Sequence, residues 1–235
     1  MHYMPLALPF FLIFAFLFAF LIILIEIGIL RYAYDKIGID RRHMFLLLVF
    51  SLLGSYVNIP IAQLPAEQVH SGKIVTFYGM HYVVPMVINW PGTVIAVNVG
   101  GAIIPTILSI YLILRNRLYV KSLVAVCAVS IIVHFIAHPV PGVGIAEPTF
   151  IPPLVTTVVA LGISRSYAAP LAYIAGSLGT LIGADILNLG RISGLGAPVA
   201  SIGGAGTFDG IFLTGILAVL LASLMTGKSR KLDNV

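Results

Sequence analysis

Six residues combine a chemistry-bearing side chain with an apolar setting: His134, His138, Glu147, Asp185, Asp209 and the amide Asn98. The two histidines stand four apart in Ser130-Ile131-Ile132-Val133-His134-Phe135-Ile136-Ala137-His138-Pro139, a stretch that reads as membrane-spanning helix. One helical turn would separate them, so both rings would leave one face at a spacing that can grip a single metal ion. Ser130 continues that face one turn deeper as a donor to a ligand or a packing residue. Ionisable groups inside a membrane are functional suspects by default.

Asp185, in Gly183-Ala184-Asp185, falls inside an apolar segment where no helix cap is needed. A lone carboxylate there must be protonated or paired. Asp209, in Gly206-Thr207-Phe208-Asp209-Gly210, stands at a helix start and reads either as an N-cap or as a ligand. Zinc fits two imidazoles and one or two carboxylates with a position left for water, so the expected metal set is His134, His138, Asp185 and Asp209. Glu147, on a tight loop nine residues after His138, is a solvated carboxylate or the base that activates that water. Asn98, next to glycines, could orient a substrate backbone or satisfy broken helical hydrogen bonds. A different pairing, Asp185 with Asp209, would make an aspartic dyad sharing one proton. A third use of the same carboxylates is ion binding in a carrier, which interrupts its helices with Gly and Pro.

The elements that must position these residues are membrane helices. The chain has 235 residues, 60% of them hydrophobic and only 9% charged, with apolar runs recurring along its length. Such runs are the condition for crossing a bilayer as helices and leave no room for a sizeable soluble domain. The formal net charge of +5 does not indicate nucleic acid here, because the basic residues sit in short segments between spans, where they orient the protein. The single Cys127 excludes an intramolecular disulfide.

Seven spans are expected, at about 5–29, 44–62, 92–114, 121–138, 150–163, 168–188 and from Asp209 to about 226. The first is expected to be a retained span rather than a cleaved signal, for want of a basic lead and a small-residue cleavage site. With the N-terminus outside and the C-terminus inside, eleven of the thirteen Lys and Arg face the cytoplasm, and only Lys73 and Arg191 do not. That topology places His134, His138, Glu147, Asp185, Asp209 and Asn98 at or above the outer leaflet. The segment of about 73–85, two β-rich runs around Gly79, reads as an extracytoplasmic β-hairpin. An exposed strand edge there could hold an unwound transmembrane peptide, or the hairpin could be a plain lid. The glycine pairs Gly100-Gly101 and Gly203-Gly204 sit in loosely similar settings, so a transporter-type repeat stays open.

The stretches His2-Tyr3-Met4-Pro5-Leu6-Ala7-Leu8-Pro9-Phe10, Leu53-Gly54-Ser55-Tyr56-Val57-Asn58-Ile59-Pro60 and Gly183-Ala184-Asp185-Ile186-Leu187-Asn188-Leu189 resemble a family of prokaryotic multi-spanning membrane proteins classed as a domain of unknown function. That resemblance implies location and organisation over nearly the full length. The histidine pair is similar to the His-Glu-x-x-His of site-two intramembrane proteases, with Phe135 where that motif carries its Glu base, and Phe208-Asp209-Gly210 is similar to their Leu-Asp-Gly. Gly204 to Asp209 also resembles the Gly-x-Gly-Asp of presenilin-type proteases, with two extra residues. The expectation is a multi-pass, all-α cell-membrane protein with a zinc-dependent hydrolytic site (Glu147, Asp185 and Asp209 catalytic) cutting a peptide bond of a transmembrane segment. A lipid amide is the variant substrate, because seven-helix zinc amidases of the ceramidase type combine His, Asp and Ser. Membrane lipid is the expected partner.

Overall fold

The computed structural model describes residues 16–17, 19–20, 35–39, 41–77, 80–140, 144–193, 195–204 and 210–226. Most of the expected first span, with Glu26, Arg31 and Tyr34, lies outside these residues, as do Asp209 and the basic tail. The described elements are α1 (Arg41–Gly54), β1 (Asn58–Gln63), β2 (Glu67–Phe77), β3 (Met80–Trp90), β4 (Val94–Asn98), α2 (Ile104–Asn116), α3 (Tyr119–Ile136), β5 (His138–Val140), β6 (Gly144–Ala146), α4 (Ile151–Ile163), α5 (Ala168–Thr180), β7 (Val199–Ile202) and α6 (Gly210–Thr226).

Among the described residues, three helical stretches are long and apolar enough to cross a membrane: Val99–Asn116, Tyr119–Ile136 and Ala168–Arg191. The shorter apolar helices are Ile151–Ile163 and Gly210–Thr226. Proline opens α4, with Pro152 and Pro153 in its first turn, where the missing N–H costs nothing. The bundle is built as a lipid-facing protein should be. Large apolar side chains such as Val120, Leu123, Phe135, Leu154 and Leu224 point outward, while the interior mixes Leu, Ile and Val with many Ala and with buried Ser and Thr.

Helix α5 is the axis of the bundle: every residue except Leu178 is buried. Its glycines let neighbours approach to backbone distance. A Cβ on Gly176 would sit 3.1 Å from the Cα of Gly215 in α6, and one on Gly179 would sit 2.7 Å from Val129 in α3. Lipid gives helices no hydrophobic reason to associate, so such close packing supplies the cohesion.

Among the described residues three sheets accompany the helices, the smallest of them the β5–β6 pair. β1, β4 and β7 form a sheet in the order β1-β4-β7, with β1 antiparallel to β4 and β4 parallel to β7. β2 and β3 form the expected hairpin, longer than 73–85, with an unbroken antiparallel register from Glu67↔Trp90 to Phe77↔Met80. The expected spans 44–62 and 92–114 are therefore each part helix and part strand. α1 ends at Gly54 and the chain continues into β1, while β4 precedes the helix that leads to Asn116. Apolar length alone does not separate a buried strand from a helix.

Both long helices next to this sheet are interrupted. Val99–Ile103 is a π-helical turn, capped by Asn98, whose Oδ1 accepts from the Gly101 N–H at 2.8 Å. Leu181–Asp185 is a second π-helical turn, followed by a 3₁₀ segment, Ile186–Arg191. Asn188 is wholly buried there and donates to the carbonyls of Gly183 and Ala184, both at 2.9 Å. Such turns leave carbonyls without helical partners, and one amide side chain satisfies two of them.

Candidate functional site

The second π turn sets Asp185. Continued α-helix would carry the 181–185 carbonyls along the bundle axis; the extra residue of a π turn instead re-aims the side chain at its end. Gly183 packs against Ser130 and Val133 of α3, which fixes the turn from behind. From the front, the Gly203 N–H donates to Asp185 Oδ2 at 2.7 Å. Gly203 follows β7 directly and holds φ at +93°, a conformation that a side chain would resist.

Glu147 arrives from the opposite side. α3 ends at Ile136 and Ala137 is extended (φ −77°, ψ 131°), after which β5 and β6 form a small hairpin with His138 opposite Ala146. The residue before a proline is pushed out of helical conformation, and Pro139 does this to His138. The hairpin delivers the next residue, Glu147, into the bundle. A Cβ on Gly210, the first residue of α6, would lie 2.5 Å from Glu147 Oε1, so glycine leaves room for the carboxyl.

Glu147 and Asp185 line one cavity of about 280 Å³, together with Thr180, Ser201, Gly204 and Gly210. Glu147 Oε2 is buried and, among the described residues, takes no hydrogen bond. Burial pushes the Glu147 carboxyl up from its ordinary 4.5 to about 7, and the negative charge of Asp185 adds to the rise. Two carboxyl groups in one partly enclosed space exchange a proton more readily than they hold two charges.

The other expected site residues fall as follows. His134 stays on α3, half-buried, with Nδ1 buried and unpartnered among the described residues. His138 is exposed in β5. The four-residue spacing therefore does not stack the two rings on one helical face, because the helix stops between them. Asn98 is 1% exposed and fully engaged. Its Nδ2 donates to the Ser55 carbonyl (2.7 Å) and to Asn58 Oδ1 (3.0 Å), so it secures the joint of β4 and the π turn. Among the described residues no group of three or more His, Cys, Asp or Glu could hold a metal ion. Asp209 lies outside them.

Sequence reasoning missed Thr180, the Gly203 N–H and the whole of β7. The only signal for β7 was the short apolar run Val199-Ala200-Ser201-Ile202 inside a glycine-rich stretch.

The family described as "Protein of unknown function (DUF1614)" matches residues 52–221. No curated protein and no solved structure matches the chain.

Proposed function

The chain belongs to the DUF1614 family, whose function is not known; from its own residues we propose that it is a membrane-embedded hydrolase whose working groups are the carboxyls of Glu147 and Asp185. The observation that carries this reading is their meeting in one cavity, brought there by separate elements. In the proposed step, a water held between them attacks the carbonyl carbon of an amide bond. Asp185, oriented by Gly203, takes the proton of the water. Glu147, which keeps its own proton to about neutral pH, gives it to the substrate. The tetrahedral adduct then collapses, the C–N bond breaks, and the amine leaves with a proton from the pair, giving a carboxylate and an amine. Two carboxyls in different protonation states at one pH are what such acid–base work requires.

The topology that goes with this reading is seven spans in the cell membrane, N-terminus out and C-terminus in, with the cavity on the extracytoplasmic side. The substrate is a peptide bond of a transmembrane segment, or a lipid amide as the variant. Zinc remains part of the proposal in one form: Glu147 and Asp185 would supply two oxygen donors, with Asp209, which lies outside the described residues, as the proposed third. Elemental analysis of the purified protein, with and without Asp209→Ala, separates the metal form from proton sharing alone.

The test is turnover of a transmembrane reporter peptide, and of a fluorescent lipid amide, in liposomes. Glu147→Gln and Asp185→Asn are each expected to lower it roughly 10²–10⁴-fold, the usual weight of a general acid or base. An Asp209→Ala variant that loses as much while Glu147→Gln loses nothing would move the pair to Asp185 and Asp209. The second reading is an ion carrier, favoured by the two π-turn interruptions at Val99–Ile103 and Leu181–Asp185. Proton or cation flux into proteoliposomes that depends on Asp185, without cleavage of any reporter, would support it.

A further inference from the structure

β7 is the end strand of its sheet: β4 pairs with one side, and among the described residues no strand pairs with the other. All four of its residues, Val199, Ala200, Ser201 and Ile202, line the cavity that holds Glu147 and Asp185. Side chains of a strand alternate between faces, so a cavity against one face meets every second residue. Four residues in succession line this one, as they would where a cavity reaches the free edge of the strand.

The register identifies the backbone groups on that edge. Val94 stands opposite Val199, and the Val94 N–H donates to the Pro198 carbonyl at 3.1 Å. In a parallel ladder, bonds to one neighbour come from alternate residues. Ala200 and Ile202 therefore turn their backbone groups toward β4, and Val199 and Ser201 turn theirs toward the cavity. The Ser201 carbonyl accepts from the Gly204 N–H at 3.2 Å. Among the described residues, the groups left for a ligand are the N–H and carbonyl of Val199 and the N–H of Ser201. They repeat at the two-residue interval of a strand, roughly 6.5 Å, which another extended backbone matches.

We propose that the cavity takes its substrate as an extended peptide segment, added to β7 as a fourth strand, with its backbone paired to Val199 and Ser201 and one amide carried past Glu147 and Asp185. The proposal deepens the hydrolase reading and rests on it. It also explains how a helical segment would become cleavable: pairing with β7 replaces the internal hydrogen bonds that shield each amide in a helix.

The experiment uses the full-length protein in lipid nanodiscs as the Glu147→Gln variant, so that binding is read without turnover. The probe is an eight-residue Val/Thr peptide with ¹³C-labelled carbonyls, alongside two versions N-methylated at even or at odd positions. Binding is expected to move the labelled amide I band to that of a β-strand. N-methylation at one parity should weaken binding roughly tenfold, and at the other hardly at all, because only one parity donates to the edge. Val199→Pro removes an edge N–H without touching the β4 ladder and should weaken binding by a similar factor. If that variant fails to fold, the N-methylated peptides still decide. A bound peptide that is helical, equal tolerance of both N-methylated forms, or Val199 and Ser201 amides already protected from hydrogen exchange without peptide would each overturn the proposal, as would no binding. Turnover by the wild-type protein is scored separately. Strand-like binding without cleavage defeats the carboxyl-pair reading and leaves the docking edge; cleavage without parity dependence does the reverse.

Discussion

Glu147 carries a pH dependence whose sign follows from its burial. Its carboxyl is raised to about 7 in the folded protein against an ordinary 4.5. Between those values the folded state holds a proton that the unfolded chain has released, so stability falls as pH rises. The contribution is complete below about 4.5 and gone above about 7. Thermal unfolding in detergent should show the wild type losing up to about 3 kcal/mol across this window, with Glu147→Gln flatter and relatively more stable at pH 8. A slope unchanged by the substitution would place the effect elsewhere. Asn98 makes a prediction of another kind. Asn98→Ala leaves the Gly101 N–H and the Ser55 carbonyl without their partners in a buried joint. A loss of about 2–4 kcal/mol is expected from two unsatisfied groups, measured by denaturant titration, with Asn98→Asp intermediate because it keeps the acceptor for Gly101. Both residues could be singled out in the sequence, since a carboxylate or amide in an apolar context is conspicuous. Their roles could not. Whether Glu147 is solvated or buried depends on the β5–β6 hairpin and on Gly210, which lies 63 positions further along (210 − 147).

Among the elements, helix limits were the most legible. The expected 121–138, 150–163 and 168–188 appear as Tyr119–Ile136, Ile151–Ile163 and the interrupted stretch from Ala168 to Arg191. Long apolar runs bounded by charge or proline leave little choice of conformation. Strands were the least legible. Asn58–Gln63 and Val94–Asn98 lie in apolar runs that continue helical neighbours, and β7 is only four residues long. What makes each a strand is pairing with a partner far away in sequence, which local pattern does not carry. The π turns were equally hidden, because they depend on Asn98, Asn188 and glycine contacts rather than on hydropathy. Helix packing gives a paired prediction. Gly179→Ala places a Cβ against Val129 and should destabilise by about 1–3 kcal/mol, as overpacking does. Gly162→Ala, at a position with open space around it, should be neutral or stabilising by up to about 1 kcal/mol. Equal unfolding midpoints for the two variants would contradict the close α3–α5 contact.

For the molecule as a whole, the many large apolar side chains on its surface, with buried Ala, Ser and Thr among the core aliphatics, suit a protein surrounded by lipid. α3 is the cleanest ruler of its placement, with Arg117 and His138 just beyond opposite ends of Tyr119–Ile136. On a Cys127→Ala background, single cysteines at 117 and 138 should react with a membrane-impermeant maleimide from opposite sides. The proposed orientation requires 138 to label in intact cells and 117 only after permeabilisation. Labelling of both from one side would mean that α3 does not cross.

The β1-β4-β7 sheet ties residues 58–98 to residues 199–202 across more than a hundred positions. During synthesis the first two of these strands leave the ribosome well before the third. Until Val199 arrives, the side of β4 that β7 will occupy has no partner, and Asp185 has no Gly203 to orient it. The Glu147–Asp185 cavity is thus among the last features to form, completed by β7 and the start of α6, both from the final quarter of the chain. A nascent polypeptide halted before Val199 should insert its earlier helices normally, yet remain sensitive to protease at β4 and inert until β7 and α6 are supplied.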